Sequence, residues 1–350
     1  MTTAEPLTSA AAVGPQPERT GSAGTGSAGT GSAGTGSAGT GSAGTGPAIS
    51  VRGLRMSYGS YEAVRGIDLE VARGEILAFL GPNGAGKTTT TEILEGFRNR
   101  TSGDVRVLGT DPAKAGPDWR ARIGVVLQVN SPERLLTVRE CLSMYAGYYP
   151  HPLPVNRVLE LTGLTDKVDS RCDQLSGGQQ RRLDVALALI GDPELVFLDE
   201  PTTGFDPTAR RLAWDVISGL RDLGKTIFLT THFMDEAEAL ADRIMILAAG
   251  RIVASGTAQT IGGRDVGATL ISFTLPDGVT AAQLPSLPGQ GTPGARTHGR
   301  VEISVPEPIP ALRVLTEWAM AHGHPMADIA VHRPSLEDIY LKLTSGAETR

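Results

Sequence analysis

Gly81-Pro82-Asn83-Gly84-Ala85-Gly86-Lys87-Thr88-Thr89 follows directly on the apolar run Ile76-Leu77-Ala78-Phe79-Leu80 and leads into an expected helix carrying Ile93, Leu94 and Phe97. This is the Gly-x-x-x-x-Gly-Lys-Thr pattern, placed between a buried strand and a helix. The glycines let successive backbone N–H groups point into one concavity, and the helix start adds partial positive charge, so the loop is built to cradle an anion. Lys87 brings a movable charge for β- and γ-phosphates, and the Thr88 hydroxyl is placed to ligate Mg²⁺.

A second constellation lies about a hundred residues downstream. Leu195-Val196-Phe197-Leu198 is a four-residue apolar strand that ends in Asp199-Glu200-Pro201. Open α/β sheets bind ligands at the C-terminal ends of their strands, which brings such a tip beside the phosphate loop. Asp199 would hold Mg²⁺ largely through its water shell, and Glu200 can polarise a water for attack on the γ-phosphate. Between the two motifs stands Leu175-Ser176-Gly177-Gly178-Gln179. Ser176 is a natural N-cap, and the paired glycines allow close backbone approach at the start of the helix through Arg181, Arg182 and Leu183.

The elements that must carry these residues read as α/β. Ile76–Leu80, Ile123–Leu127, Leu195–Leu198, Thr226–Thr230 and Ile244–Leu247 are short apolar runs of the kind buried on both faces of a parallel sheet. Leu212, Val216, Leu220 and Leu223 recur at helical spacing, with Gly224 as the expected C-terminal cap. Strand, helix, strand in that order predicts crossover units around one sheet. The pattern covers residues 48–260. Residues 261–350 change texture: two alternating segments, Thr269–Phe273 and Arg300–Val305, enclose a Pro- and Gly-rich loop, and helices are expected over Pro310–His322 and Ser335–Leu343. That predicts a small α+β accessory domain. Residues 1–47 hold almost no bulky apolar side chains and repeat Gly-Ser-Ala-Gly-Thr from Gly21 to Thr45, which predicts a flexible tail.

In this order, the motifs resemble an ABC transporter nucleotide-binding subunit, over about Ile49 to Gly256. The Leu175–Gln179 run separates that family from other phosphate-loop ATPases. The resemblance implies a phosphate-loop NTPase core with a helical subdomain and an antiparallel β-subdomain. It implies ATP and Mg²⁺ as cofactors, Tyr58 stacking on adenine, Gln128 reaching both Mg²⁺ and a membrane partner, and His232 contacting the γ-phosphate. Gly204-Phe205-Asp206-Pro207 matches the loop that crosses a dimer interface. Lys87, Gln128, Glu200 and His232 become the expected catalytic set, with Thr88, Gln128 and Asp199 on the metal. The nucleotide would be held by Tyr58, Gly81–Thr89 and, from a second copy in a head-to-tail dimer, Ser176, Gly177, Gly178 and Gln179. Thr202–Pro207, Thr231–Glu238 and Pro334-Ser335-Leu336-Glu337-Asp338-Ile339-Tyr340 resemble the ABC-2 type exporters, specifically the daunorubicin/doxorubicin-resistance-like ATPases. Those act with a separately encoded polytopic permease, so the expected station is the cytoplasmic face of the membrane, and the expected cargo a hydrophobic drug or antibiotic.

Composition narrows the alternatives. A net charge of −6 argues against a nucleic-acid partner. No apolar run approaches the roughly 20 residues needed to cross a bilayer, and the N-terminus lacks the basic start and apolar stretch of a secretory signal. Cys141 and Cys172 are expected as free thiols in a reducing compartment. The rival readings are a soluble ABC ATPase acting on ribosomes or DNA, a catalytically dead regulatory module, and an exporter of a lipid or polysaccharide precursor. A single phosphate loop and the absence of sustained heptads between Thr89 and Leu175 weigh against the first.

Overall fold

The computed structural model describes residues 46–126, 133–264, 269–275, 278–288, 294–295, 300–324 and 326–345. The repeat tail and Gln128 lie outside the described residues.

The described chain opens with β1 (Ile49–Tyr58) and β2 (Tyr61–Val71), which turn back on each other so that Tyr58 faces Tyr61. Next come β3 (Ile76–Leu80), α1 (Lys87–Leu94), β4 (Ser102–Val107), α2 (Pro117–Arg120) and β5 (Ile123–Val126). A helical stretch follows: α3 (Val138–Ala146), α4 (Val155–Thr162) and α5 (Gly177–Leu189). The chain then alternates through β6 (Leu195–Asp199), α6 (Pro207–Asp222), β7 (Thr226–Thr231), α7 (Met234–Leu240), β8 (Arg243–Ala248) and β9 (Arg251–Gly256). It closes with β10 (Thr269–Thr274), β11 (Gly294–Ala295), β12 (Arg300–Val305), α8 (Pro308–His322), β13 (Ala327–His332) and α9 (Leu336–Ser345).

The central sheet runs β5-β6-β7-β3-β8-β9, parallel except for the antiparallel β8–β9 pair. Side chains alternate faces along a strand, so an apolar run with no polar break must feed two cores. It does. Leu77, Phe79, Phe197 and Phe228 point to one core shared with the antiparallel sheet β2-β1-β4, where Phe79 and Phe228 have ring centroids 5.4 Å apart. Ile76, Ala78, Leu80, Val196, Leu198, Ile227 and Leu229 point to the other, beneath α5, α6 and α7.

Helix α5 joins that second core to a third. Val185, Ala188 and Leu189 face the sheet, while Leu183, Ala186, Leu187 and Ile190 pack with Val138, Leu142, Val158 and Leu159 of α3 and α4. A helix buried on all sides has to be apolar all round, and every residue from Leu183 to Leu189 except Asp184 is. Cys141 and Cys172 are free and buried in the helical core.

Residues beyond Gly256 form the four-stranded sheet β11-β12-β10-β13, with Ile271 opposite Ile303 and α8 covering one face through Ala311 and Leu315. The closing helix goes elsewhere. Leu336, Tyr340 and Leu343 of α9 pack into the second core beside α7 and β8. Arg264 fastens this return: its Nε donates to Pro334 O at 2.7 Å and its Nη1 to Glu238 Oε1 at 2.6 Å.

Two expectations need correction. Leu212 and Leu223 are exposed, and the buried stripe of α6 runs through Ile217 and Leu220. Phe97, expected on the helix after the phosphate loop, lies past the end of α1 and is 68% exposed.

Gly124 sits on β5 directly beneath α5, where a Cβ would collide with the Ala188 carbonyl oxygen and crowd the Pro193 ring. Backbone cannot give way as a side-chain tip can. Gly124→Ala should cost about 1–3 kcal/mol by overpacking, read as a lowered thermal unfolding midpoint with the ATP-loop residues untouched.

Candidate active site

Two backbones force the phosphate loop to be glycine-rich. A Cβ at Gly81 would strike the Leu247 carbonyl of β8, and one at Gly86 would lie 2.6 Å from the Ala63 carbonyl of β2. Gly86 also has φ +104°, a left-handed conformation only glycine adopts without strain, and it caps α1. Lys87 is 7% exposed, and its Nζ donates to Gly81 O at 2.6 Å and Pro82 O at 3.2 Å. Burial lowers the Lys87 pKa, while Glu200 and Asp199 pull it back up. Asn83 and Gly84 are exposed at the loop tip and Ala85 is buried beneath it. Thr88 is exposed at the mouth, and Thr89 Oγ1 lies 3.2 Å from the Tyr58 hydroxyl.

Strand β6 delivers the carboxylates. Thr230 on neighbouring β7 donates its hydroxyl to Asp199 Oδ1 and accepts the Glu200 N–H at 3.2 Å. The Glu200 N–H is shared with Thr230 O at 3.0 Å. Glu200 itself has φ +45°, an uncommon conformation for a residue with a Cβ. Its Oε1 lies 3.3 Å from His232 Nδ1, and its Oε2 accepts from the Thr203 hydroxyl at 3.2 Å. Glu200, Lys87, Thr88, Thr89, Asn83, Gly84 and Tyr58 line one cavity of about 280 Å³.

Ser176 caps α5 in a reciprocal box: its Oγ accepts from Gln179 N at 3.4 Å, and Gln179 Oε1 accepts from Ser176 N at 2.9 Å. Gly177 is exposed, with open space where a Cβ would go, and Gly178 stands beside Ala209. These residues line a different cavity, of about 850 Å³, which also reaches Glu200, Thr203 and Asp206. Within one chain, then, the Ser176–Gln179 turn and the phosphate loop do not share a pocket, and Glu200 is the candidate residue that borders both. Asp206 caps α6, accepting from Thr208 N at 2.8 Å and Ala209 N at 3.0 Å.

Residues 64–203 match the family described as "ABC transporter", and residues 269–335 match one described as "ABC transporter domain-containing protein-like, C-terminal domain". The chain is 39% identical over 312 residues to the Nod factor export ATP-binding protein I of Cupriavidus metallidurans, covering 86% of this chain and 98% of that protein. The chain belongs to the ABC transporter ATP-binding subunits. The daunorubicin resistance ATP-binding protein DrrA3 of Streptomyces coeruleorubidus is 36% identical over 304 residues, covering 85% of this chain and 96% of that one. Among solved structures, cbiO1 of Clostridium perfringens, part of the ABC transporter complex cbiONQ, is similar with TM-score 0.54 and 28% identity over 61% of this chain and 90% of that chain. The chain is therefore an ATPase coupled to transport, and ABC cassettes work as dimers with membrane permease partners.

Residues that the motifs do not single out also stand at this candidate site. Arg181, read from sequence as ordinary helix, is half-buried and reaches under the carboxylate turn. Its Nη2 donates to Asp199 O at 2.9 Å and its Nε to Pro201 O at 3.0 Å, while its Nη1 lies 3.6 Å from Asp184 Oδ2. Glu236 is fully buried, and its Oε1 accepts from Thr202 Oγ1 at 2.9 Å and Trp214 Nε1 at 3.3 Å. That ties the segment after Glu200 to the helix after His232. Burial raises the Glu236 pKa against these hydrogen bonds. Tyr61 lines the nucleotide cavity with its cross-strand neighbour Tyr58, and the Arg98 guanidinium lies 5.2 Å from the Tyr58 ring centroid. A charged residue inside a helix gives no sign from sequence of how far it is buried, which is why Arg181 and Glu236 escaped notice.

Arg181 meets the candidate site through the backbone that carries the two carboxylates, while its Nη1 pairs with Asp184. Arg181→Ala should therefore lower kcat by about 10–100-fold, since a displacement of about 1 Å at a reacting group costs that order, and should change ATP affinity much less. Steady-state turnover alongside equilibrium nucleotide binding separates the two.

Proposed function

We propose that this chain hydrolyses ATP with Mg²⁺ in a head-to-tail dimer and thereby powers export through a separately encoded ABC-2 type permease at the cytoplasmic face of the membrane. The observation that carries this reading is the placement of Glu200 beside His232, at the border of two cavities, one lined by the phosphate loop and the other by the Ser176–Gln179 turn. The phosphate loop of one copy would meet the Ser176–Gln179 turn of the other, so that the α5 N-terminus faces the γ-phosphate.

In that arrangement Tyr58 stacks on adenine, the N–H groups of Gly81 to Thr89 and the Lys87 ammonium hold the phosphates, and Glu200 orients the water while His232 steadies Glu200 and the γ-phosphate. The donors suit Mg²⁺, a hard cation that keeps much of its water shell. Thr88 offers a hydroxyl and Asp199 a carboxylate already oriented by Thr230. Among the described residues no group of three or more His, Cys, Asp or Glu converges, so phosphate and water would supply the remaining oxygens. The ion would neutralise charge developing on the transferred phosphoryl group. Gln128 is assigned to the metal and the permease by its motif position.

Among the described residues no helix is long and apolar enough to cross a membrane. A groove of about 460 Å³, bordered by the exposed Phe97 and by Tyr145 and Tyr149, offers a seat for a membrane partner. Relatives named for Nod factor export and for daunorubicin resistance support export, and the second supports a hydrophobic drug as cargo. The permease would choose the cargo.

Glu200→Gln should retain ATP-dependent dimerisation while turnover falls by about 10²–10⁴-fold, the usual worth of a general base. Size-exclusion chromatography with ATP and Mg²⁺, run beside an ATPase assay, reads both. A variant that stays monomeric at saturating ATP would refute the head-to-tail site. Tagged wild-type chain drawn from mild-detergent extracts should bring a stoichiometric polytopic membrane protein with it; ribosomes or nucleic acid instead would refute the transport role.

A further inference from the structure

Tyr58 ends β1 and is 42% exposed. A ring so exposed keeps rotamer freedom, which a ligand stacking on it would have to remove. Two contacts restrain it, and both come from α1 or the turn after it. Thr89 Oγ1 lies 3.2 Å from the hydroxyl, and the Arg98 guanidinium lies over the ring, 5.2 Å from its centroid. That is inside the roughly 6 Å over which a cation and an aromatic face attract.

Arg98 is itself closely placed. Gly96, with φ +81°, turns the chain at the end of α1. The N–H groups of Phe97 and Arg98 then both donate to Glu92 O, at 2.9 and 3.1 Å. The Arg98 Nε donates to the Glu92 carboxylate at 2.5 Å. A long side chain fixed both at its backbone and at its head has already given up much of its rotamer entropy, so it can hold a neighbour at little further cost. Tyr58, Thr88 and Thr89 line the nucleotide cavity, but Arg98 is not among its walls. Its route to a bound nucleotide runs through the Tyr58 ring.

We infer that Arg98 is a positioning residue for the nucleobase: held by Glu92, it fixes the Tyr58 ring from one face and leaves the other face set for adenine. This rests on the reading of Tyr58 as the residue that stacks on the base, and deepens it. Base and phosphates then share one support, because α1 carries Lys87 and Thr88 at its start and Glu92 near its end. An anion without a base gains nothing from Arg98.

The test measures binding of Mg²⁺-ADP and of Mg²⁺-pyrophosphate to the full chain by isothermal titration, with KM and kcat for ATP alongside. ADP carries the base and pyrophosphate lacks it. Arg98→Ala should weaken ADP binding about 2–5-fold, the worth of one exposed cation–π contact. It should raise KM for ATP by the same factor and leave kcat and pyrophosphate binding unchanged. Arg98→Lys keeps a cation at the ring and should recover part of the affinity. In a Tyr58→Leu background, Arg98→Ala should cost nothing further. Equal weakening of ADP and pyrophosphate, or the same loss with and without the Tyr58 ring, overturns the inference, since either places the effect of Arg98 on α1 rather than on the base. ADP binding that falls in Tyr58→Leu but not in Arg98→Ala also overturns it and leaves adenine stacking standing. ADP binding indifferent to both substitutions overturns the stacking reading as well.

Discussion

Parallel pairing of β6, β7 and β3 is the constraint on which the site depends. In that register Asp199 lies beside Thr230, and Leu80 beside Thr231. The phosphate loop begins one residue after Leu80, Glu200 follows Asp199, and His232 follows Thr231. Three segments, the first more than a hundred residues of chain before the other two, thus leave the sheet at one edge and at one level. A slip of two residues between any pair would keep both cores apolar and still dismantle the chemistry, so register must be held by more than burial. Thr230 helps to hold it, bonding at once to the Asp199 side chain and the Glu200 backbone.

The polar groups behind this edge form a second tier. Arg181 reaches the carboxylate turn from the helical side, and Glu236 reaches it from α7. Glu200 keeps its left-handed backbone because its N–H and the carbonyls on either side are all engaged. Strain at a reacting residue persists where the surroundings over-determine it. Since α5 begins at the Ser176–Gln179 turn and carries Arg181 one turn later, movement of the turn and placement of Glu200 are mechanically linked.

Much of this was legible in the sequence. The five apolar runs became strands because nothing polar interrupted them, and the Gly-x-x-x-x-Gly-Lys-Thr loop could be placed because a strand preceded it. The N-cap at Ser176 followed from residue type alone. What stayed hidden turned on burial, which residue type does not decide. Phe97 and Leu212 are apolar and exposed, whereas Glu95 and Glu236 are ionisable and buried and Arg181 is half-buried. The return of α9 was equally unreadable, since its apolar stripe would suit either the accessory sheet or the central one.

That return has a consequence for the order in which the protein can be made. The core beneath α6 and α7 takes Leu336, Tyr340 and Leu343 from α9, the last of the described helices. Until those residues leave the ribosome, Ile261 and Leu240 face solvent on an unfinished apolar surface, and the nascent chain is sticky in a way the finished one is not. Every motif for chemistry has by then emerged, yet the sheet that aligns them is still missing part of its cover. A chain cut before α9 would carry all the candidate catalytic residues and still leave that apolar surface uncovered.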